Sequence, residues 1–192
     1  MIDASSTVGI SQNPAGVVTL LRVTDQLVSK DCPPALAALG YRVGGRPIVA
    51  RQYPCVQLTD TEDSAAQMAI LTSVRRWPGV RELAPRQSIP GCRALVLDET
   101  HARGQGEAFI LGREFAHVRG DGSVHTALAP EWAEDVLRKG WGQIHPLALY
   151  GLIQPQSLIF YAPRDEREHE ATVTILAAAY SYACGRLAVP AP

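Results

Sequence analysis

The sequence predicts an α+β fold: an antiparallel sheet of about five strands packed by helices, with a helical N-terminal segment. Short alternating runs cluster in one block after Pro90. Glycine or polar turns separate those runs, and helical patterns stand before and after the block. A parallel βαβ fold would instead interleave the two patterns from the start of the chain. With 192 residues and 46% hydrophobic content, there is enough apolar side chain for one compact domain with a sizeable core. The division expected is a helical segment over residues 1–76, packed as a lid or partner surface on an α+β domain over 77–192.

The elements follow in order. Residues 1–12 read as a loose arm. Asn13-Pro14 places a capping residue before a proline at the first helical position. Val17, Leu20, Leu21, Thr24, Leu27 and Val28 then recur at helical spacing up to Cys32-Pro33-Pro34. A short helical turn runs from Pro34 to Leu39, and Gly44-Gly45 marks a hairpin within Tyr41–Val56. Asp60-Thr61 caps a helix that turns Met68, Leu71 and Val74 inward and stops before Trp77-Pro78-Gly79. Arg93–Asp98, Glu107–Leu111, Glu114–Val118 and Ser123–Ala127 read as strands. Ala129-Pro130-Glu131 opens a helix closed by Gly140, a loop carries Trp141 and His145, and Ser157–Tyr161 is the fifth strand. Asp165 with Glu168 has capping-box spacing and starts a last helix through Val173, Leu176, Tyr180 and Ala183 to Gly185.

Composition narrows the function classes. The net charge is −1 and the 18 Lys and Arg are scattered, so neither a nucleic acid nor an anionic membrane is an expected partner. Cys32, Cys55, Cys92 and Cys184 contain no C-x-x-C pair, which argues against a zinc knuckle or thioredoxin-like motif and for reduced, mostly buried thiols. The first residues lack the order of a signal peptide, and no apolar run approaches a membrane span. A cytoplasmic location is expected.

Chemistry concentrates in three of the five histidines. In the Glu114–Ala127 hairpin, a three-residue loop Gly120-Asp121-Gly122 sets His117 opposite His125, whereas a two-residue loop sends them to opposite faces. Gly122 suits the left-handed position of the longer loop, and that register gathers Arg119 and Ser123 on one side, so it is preferred. His145, held before Pro146 in a loop with few core contacts expected, joins them. Imidazoles can act as general bases near neutral pH, or as ligands to a zinc- or iron-type ion, although no compact ligand spacing supports the metal. Arg164 either pairs at the surface with Glu168 or holds an anionic substrate group at a helix N-terminus. Trp141, between two glycines, is either core or pocket wall.

The run AHVRGDGSVHTAL, then KGWGQIHPLA, then FYAPRDERE, resembles the luciferase-domain family, which includes the fungal luciferases and many bacterial proteins. The likeness covers roughly 77–185 and is strongest over 114–167. Fungal luciferases oxidise a hydroxylated styryl-pyrone with O₂ without metal or organic cofactor, so the resemblance implies a cofactor-free oxygenase with molecular oxygen as co-substrate. It implies an aromatic or pyrone-like small molecule as partner, with a homo-oligomer left open. It marks His117, His125, His145 and Arg164 as catalytic candidates. Phe115, Arg119, Trp141 and Tyr161 complete the set as substrate-binding candidates, with no metal ligands. The family commonly has histidine where this chain has Arg119. The membrane anchor that opens the fungal proteins has no counterpart, so a soluble substrate or partner is expected.

Overall fold

The computed structural model describes residues 32–61 and 64–186. The helix expected over 14–28 lies outside them. Six strands, β1 (Val80–Leu83), β2 (Arg93–Leu97), β3 (Glu114–Val118), β4 (Val124–Ala127), β5 (Gly142–Ile144) and β6 (Ser157–Phe160), form one sheet. Their order is β1-β2-β3-β4-β6-β5, and every neighbouring pair is antiparallel. The helices are α1 (Pro34–Ala37), α2 (Ser64–Val74), α3 (Pro130–Arg138), α4 (Pro146–Leu149) and α5 (Glu166–Ala183).

One face of the sheet carries the main core. Leu95, Ala116, Val118, Val124, Leu158 and Phe160 point towards Ile70, Val74, Ile175, Leu176 and Ala179 of α2 and α5. Asp165 starts α5, its Oδ1 accepting from the backbone N–H of Glu168 at 2.8 Å, as the capping spacing requires. On α2 the inward residues are Gln67, Ile70, Leu71 and Val74, while Met68 is exposed, one helical step from the expected stripe.

Two expected features change. Glu107–Leu111 is no strand: Gly106–Ala108 forms a 3-10 turn, and Ala108 and Phe109 enter the core. Only Ala108 and Phe109 of the run are buried, Leu111 is exposed, and there is no alternation to make it half-buried sheet. Its place is taken by β1 and β5, two short edge strands. Gly142 of β5 lies so close to β6 that a Cβ there would sit 2.4 Å from the Ile159 carbonyl oxygen, so only glycine lets this strand dock.

The opposite face of the sheet is covered by irregular chain. Residues 41–61 contain no helix; Val49 bridges to Gln57, and Val49 and Cys55 pack on Ile159 and Tyr161 in a second, smaller cluster.

Candidate functional site

The β3–β4 hairpin has the three-residue register. His117 faces His125, Val118 faces Val124, and Gly122 adopts φ +83°. Continued across the sheet, the same row runs from Ala94 through His117, His125 and Ile159 to Gln143. Ala94 places only a methyl group beside His117, which leaves room above the ring.

The β2–β3 ladder holds a bulge. Leu95 pairs with Ala116, but the next residue, Val96, pairs with Glu114, so Phe115 is an extra residue. Alternation therefore breaks. Phe115 turns to the helix side, its ring 6.0 Å from that of Tyr180, and does not wall the site as expected. Glu114 takes the face of His117 instead, with Oε1 2.8 Å from Nδ1. A carboxylate at Nδ1 fixes the proton there and leaves Nε2 on the cavity side, 3.5 Å from Ser88 Oγ. Nothing in the sequence marks the bulge, and residues three apart on a regular strand face opposite ways. Glu114 was legible only as the start of a strand.

His117, His125 and His145 line one cavity of about 120 Å³, together with Arg119. It is covered by Tyr53 and Pro54, by Gln87–Ile89, and by Leu147 with Ile153. All four polar residues are buried: relative exposures are 2% for His117, 4% for Arg119, 6% for His125 and 3% for His145. The His125 ring stands edge-on to His117 at 4.8 Å and lies 4.5 Å from His145 on its other side. Arg119 donates to the carbonyls of Cys55 (2.5 Å) and Pro54 (3.1 Å).

His145 differs from its expected setting. It is not a loop residue with few contacts. Its N–H donates to Ser157, extending the β5–β6 ladder, and its Nδ1 accepts from Leu147 N at 3.1 Å, capping α4. Burial, then the charges of Arg119 and His117, pushes the His145 imidazole down to about 4. Burial, then His117, His145 and Arg119, holds His125 well below the ordinary histidine range. Both are neutral at pH 7. Since an unfolded histidine takes a proton near 6.5, the unfolded chain binds more protons than the folded one between about 6.5 and 4. Stability is therefore expected to be full above that window and to fall as pH drops through it. Urea melts from pH 7 to pH 4.5 should show this loss, and His145→Asn, which keeps a capping acceptor without an imidazole, should show less of it. An identical slope in the variant would refute the assignment.

Three other candidates lie outside the cavity. Arg164 is paired with Glu168 at 2.5 Å and donates to the Val43 carbonyl, which is the ion-pair alternative. Trp141 belongs to the main core, and its Nε1 donates to the Gly40 carbonyl at 2.9 Å. Tyr161 is on the site face but lies beside the cavity, its hydroxyl donating to Gln143 Oε1 at 3.2 Å and its ring under the Arg42 guanidinium. Among the described residues, no group of three or more His, Cys, Asp or Glu side chains is arranged to hold a metal ion. No described helix is long and apolar enough to cross a membrane.

Comparison with known proteins falls on the same segment. Residues 112–179 match the Luciferase domain family. A Luciferase of Neonothopanus nambi is 42% identical over 74 residues, covering 36% of this chain and 28% of that protein. Luciferases of Armillaria gallica and Armillaria mellea are each 40% identical over 74 residues, with the same coverage. The chain thus spans under a third of the length of these curated relatives. No solved structure matches it. The matched segment contains Glu114, all three cavity histidines and Arg119.

Proposed function

From the premise that residues 112–179 carry a luciferase-family domain, we propose that the protein is a cofactor-independent oxygenase acting on an electron-rich aromatic, enol or pyrone small molecule. The observation that carries this reading is the buried Glu114–His117 pair beside a cavity whose only cation, among the described residues lining it, is Arg119. Glu114 is the positioning residue and His117 the base. His117 Nε2 removes the proton of an enol or phenol, leaving an electron-rich anion beside the Arg119 charge. That anion passes electrons to O₂ and forms a C–O bond. The imidazolium returns its proton to the distal oxygen, so substrate and O₂ give a hydroperoxide with no other reductant. His125 and His145, held neutral, do not compete for the proton. The cover segments keep bulk water from the reduced oxygen.

The test is oxygen uptake by purified protein against a panel of phenolic, enolic and pyrone compounds, with no flavin, nicotinamide or metal added. Uptake specific to one compound class and unaffected by chelator is the expected result. Near-stoichiometric metal with activity lost to chelator would replace this reading with a metalloenzyme. The same base equally suits a lyase, isomerase or hydrolase. Turnover without oxygen uptake selects that class, and saturable binding without turnover selects a non-catalytic binding module.

A further inference from the structure

Two buried nitrogens in the cavity residues have no hydrogen-bond partner: Nε of Arg119 and Nε2 of His125. Both side chains line the cavity and are more than nine-tenths buried. The guanidinium also has no carboxylate in contact with it: among the described residues the carboxylate charge that acts on it is that of Asp121, at longer range. Its terminal nitrogens are spent on the Cys55 and Pro54 carbonyls, and among the described residues no carboxylate lies within ion-pair distance of it. Asp121, near it in the hairpin, has its Oδ1 engaged by the N–H and hydroxyl of Ser123. A buried cation with an idle donor is costly unless something arrives to neutralise it. Glu114 stands at the start of β3, the strand that Arg119 follows, but its Oε1 is taken by His117. The carbonyl contacts hold the guanidinium in place, so it cannot turn out to water without breaking the tie between β3 and the 50–55 cover.

We infer that the cavity is an anion subsite: it takes a small planar monoanion whose charged oxygen accepts from Arg119 Nε–H, with His125 Nε2 as the second polar contact. The ligand class is an aromatic or conjugated carboxylate, or an enol acidic enough to be ionised when it binds. The cavity is close in size to engineered ones that take a single six-membered ring, so one ring with its anionic substituent fits and any larger part projects towards the mouth. The inference rests on the cavity being the substrate site, but not on oxygen being used there.

The probes are benzoate and its neutral isostere benzamide, titrated by calorimetry and by thermal shift at constant ionic strength. Benzoate should bind and raise the melting temperature, and benzamide should bind about 10- to 100-fold more weakly, the range set by hydrogen bonds to a charged group. Arg119→Gln should weaken benzoate by a similar factor and leave benzamide unchanged. Equal affinity for the two probes, or benzoate binding untouched in Arg119→Gln, would overturn the inference. If Arg119→Gln does not fold, the comparison of the two probes on the unaltered protein decides alone. Benzoate selectivity in a protein that never consumes oxygen keeps the anion subsite and removes the oxygenase. Oxygen uptake with no preference for benzoate does the reverse.

Discussion

His117→Gln is expected to lower turnover by about 10²–10⁴-fold, the usual cost of losing a general base. The choice of glutamine matters. His117 is almost fully buried against Glu114, and a truncation to alanine would leave that carboxylate without its partner. An amide can still donate to Glu114 Oε1, so the fold and the melting temperature should change little while the basic nitrogen is gone. Glu114→Gln should act through the histidine: kcat falls by a smaller factor with KM unchanged, because the ring loses its fixed tautomer and not its contact with substrate. Arg119→Gln should instead raise KM. Steady-state oxygen uptake on the three variants separates a base, a positioning residue and a binding residue. Normal turnover in His117→Gln would move the base elsewhere in the row of imidazoles.

Glu168→Ala should cause the largest loss of stability. Its carboxylate is buried and accepts from Arg42 at 3.2 Å, from the Arg164 guanidinium, and from the Arg164 backbone N–H at 3.0 Å. Burial alone would raise the Glu168 carboxyl, but the Arg164 hydrogen bonds and the Arg42 charge outweigh it and hold it below the usual range. Removing the side chain strands the Arg42 guanidinium, which is equally buried and keeps only the Gly45 carbonyl as acceptor and the Tyr161 ring beneath it. Breaking a buried pair this way costs roughly 3–5 kcal/mol. For a chain of this size that is about 6–20 °C in melting temperature. The exposed Arg93–Glu82 pair is the comparison: Glu82→Ala should cost under about 1 kcal/mol. If the two variants melt alike, the Glu168 cluster contributes no more than a surface pair.

What the sequence made legible is tied to local signals. The hairpin register was readable because a glycine must occupy the left-handed position, and that one turn decides whether His117 and His125 share a face. The α5 cap was readable from Asp165 and Glu168, and the pairing of Arg164 from its spacing to Glu168. The partners of a cap or an i, i+4 pair are fixed by helix geometry alone. The bulge at Phe115 was not readable, because it is set by pairing with β2, some twenty residues away in sequence. Its cost was a double error, a wall residue assigned to Phe115 and a carboxylate missed at Glu114. Trp141 and His145 carried a distinctive pattern whose meaning was structural as much as chemical. Gly142 lets β5 approach β6, Trp141 reaches the Gly40 carbonyl, and His145 caps α4. The edge strands β1 and β5 were too short to show a period.

The cover over the cavity is built separately from the main core. Residues 50–55, 84–91 and 146–154 reach the site from three distant parts of the chain, and Cys55 and Leu147 among them join the small cluster around Ile159. The strands and α5 carry the main core, so exchange of those cover segments is expected to be tolerated better than exchange of any strand. For laboratory evolution this divides the molecule into a chassis and an interchangeable roof. Libraries confined to Gln87, Ile89, Ile153 and Gln154 would vary the lining of the cavity while the row of histidines beneath stays as it is.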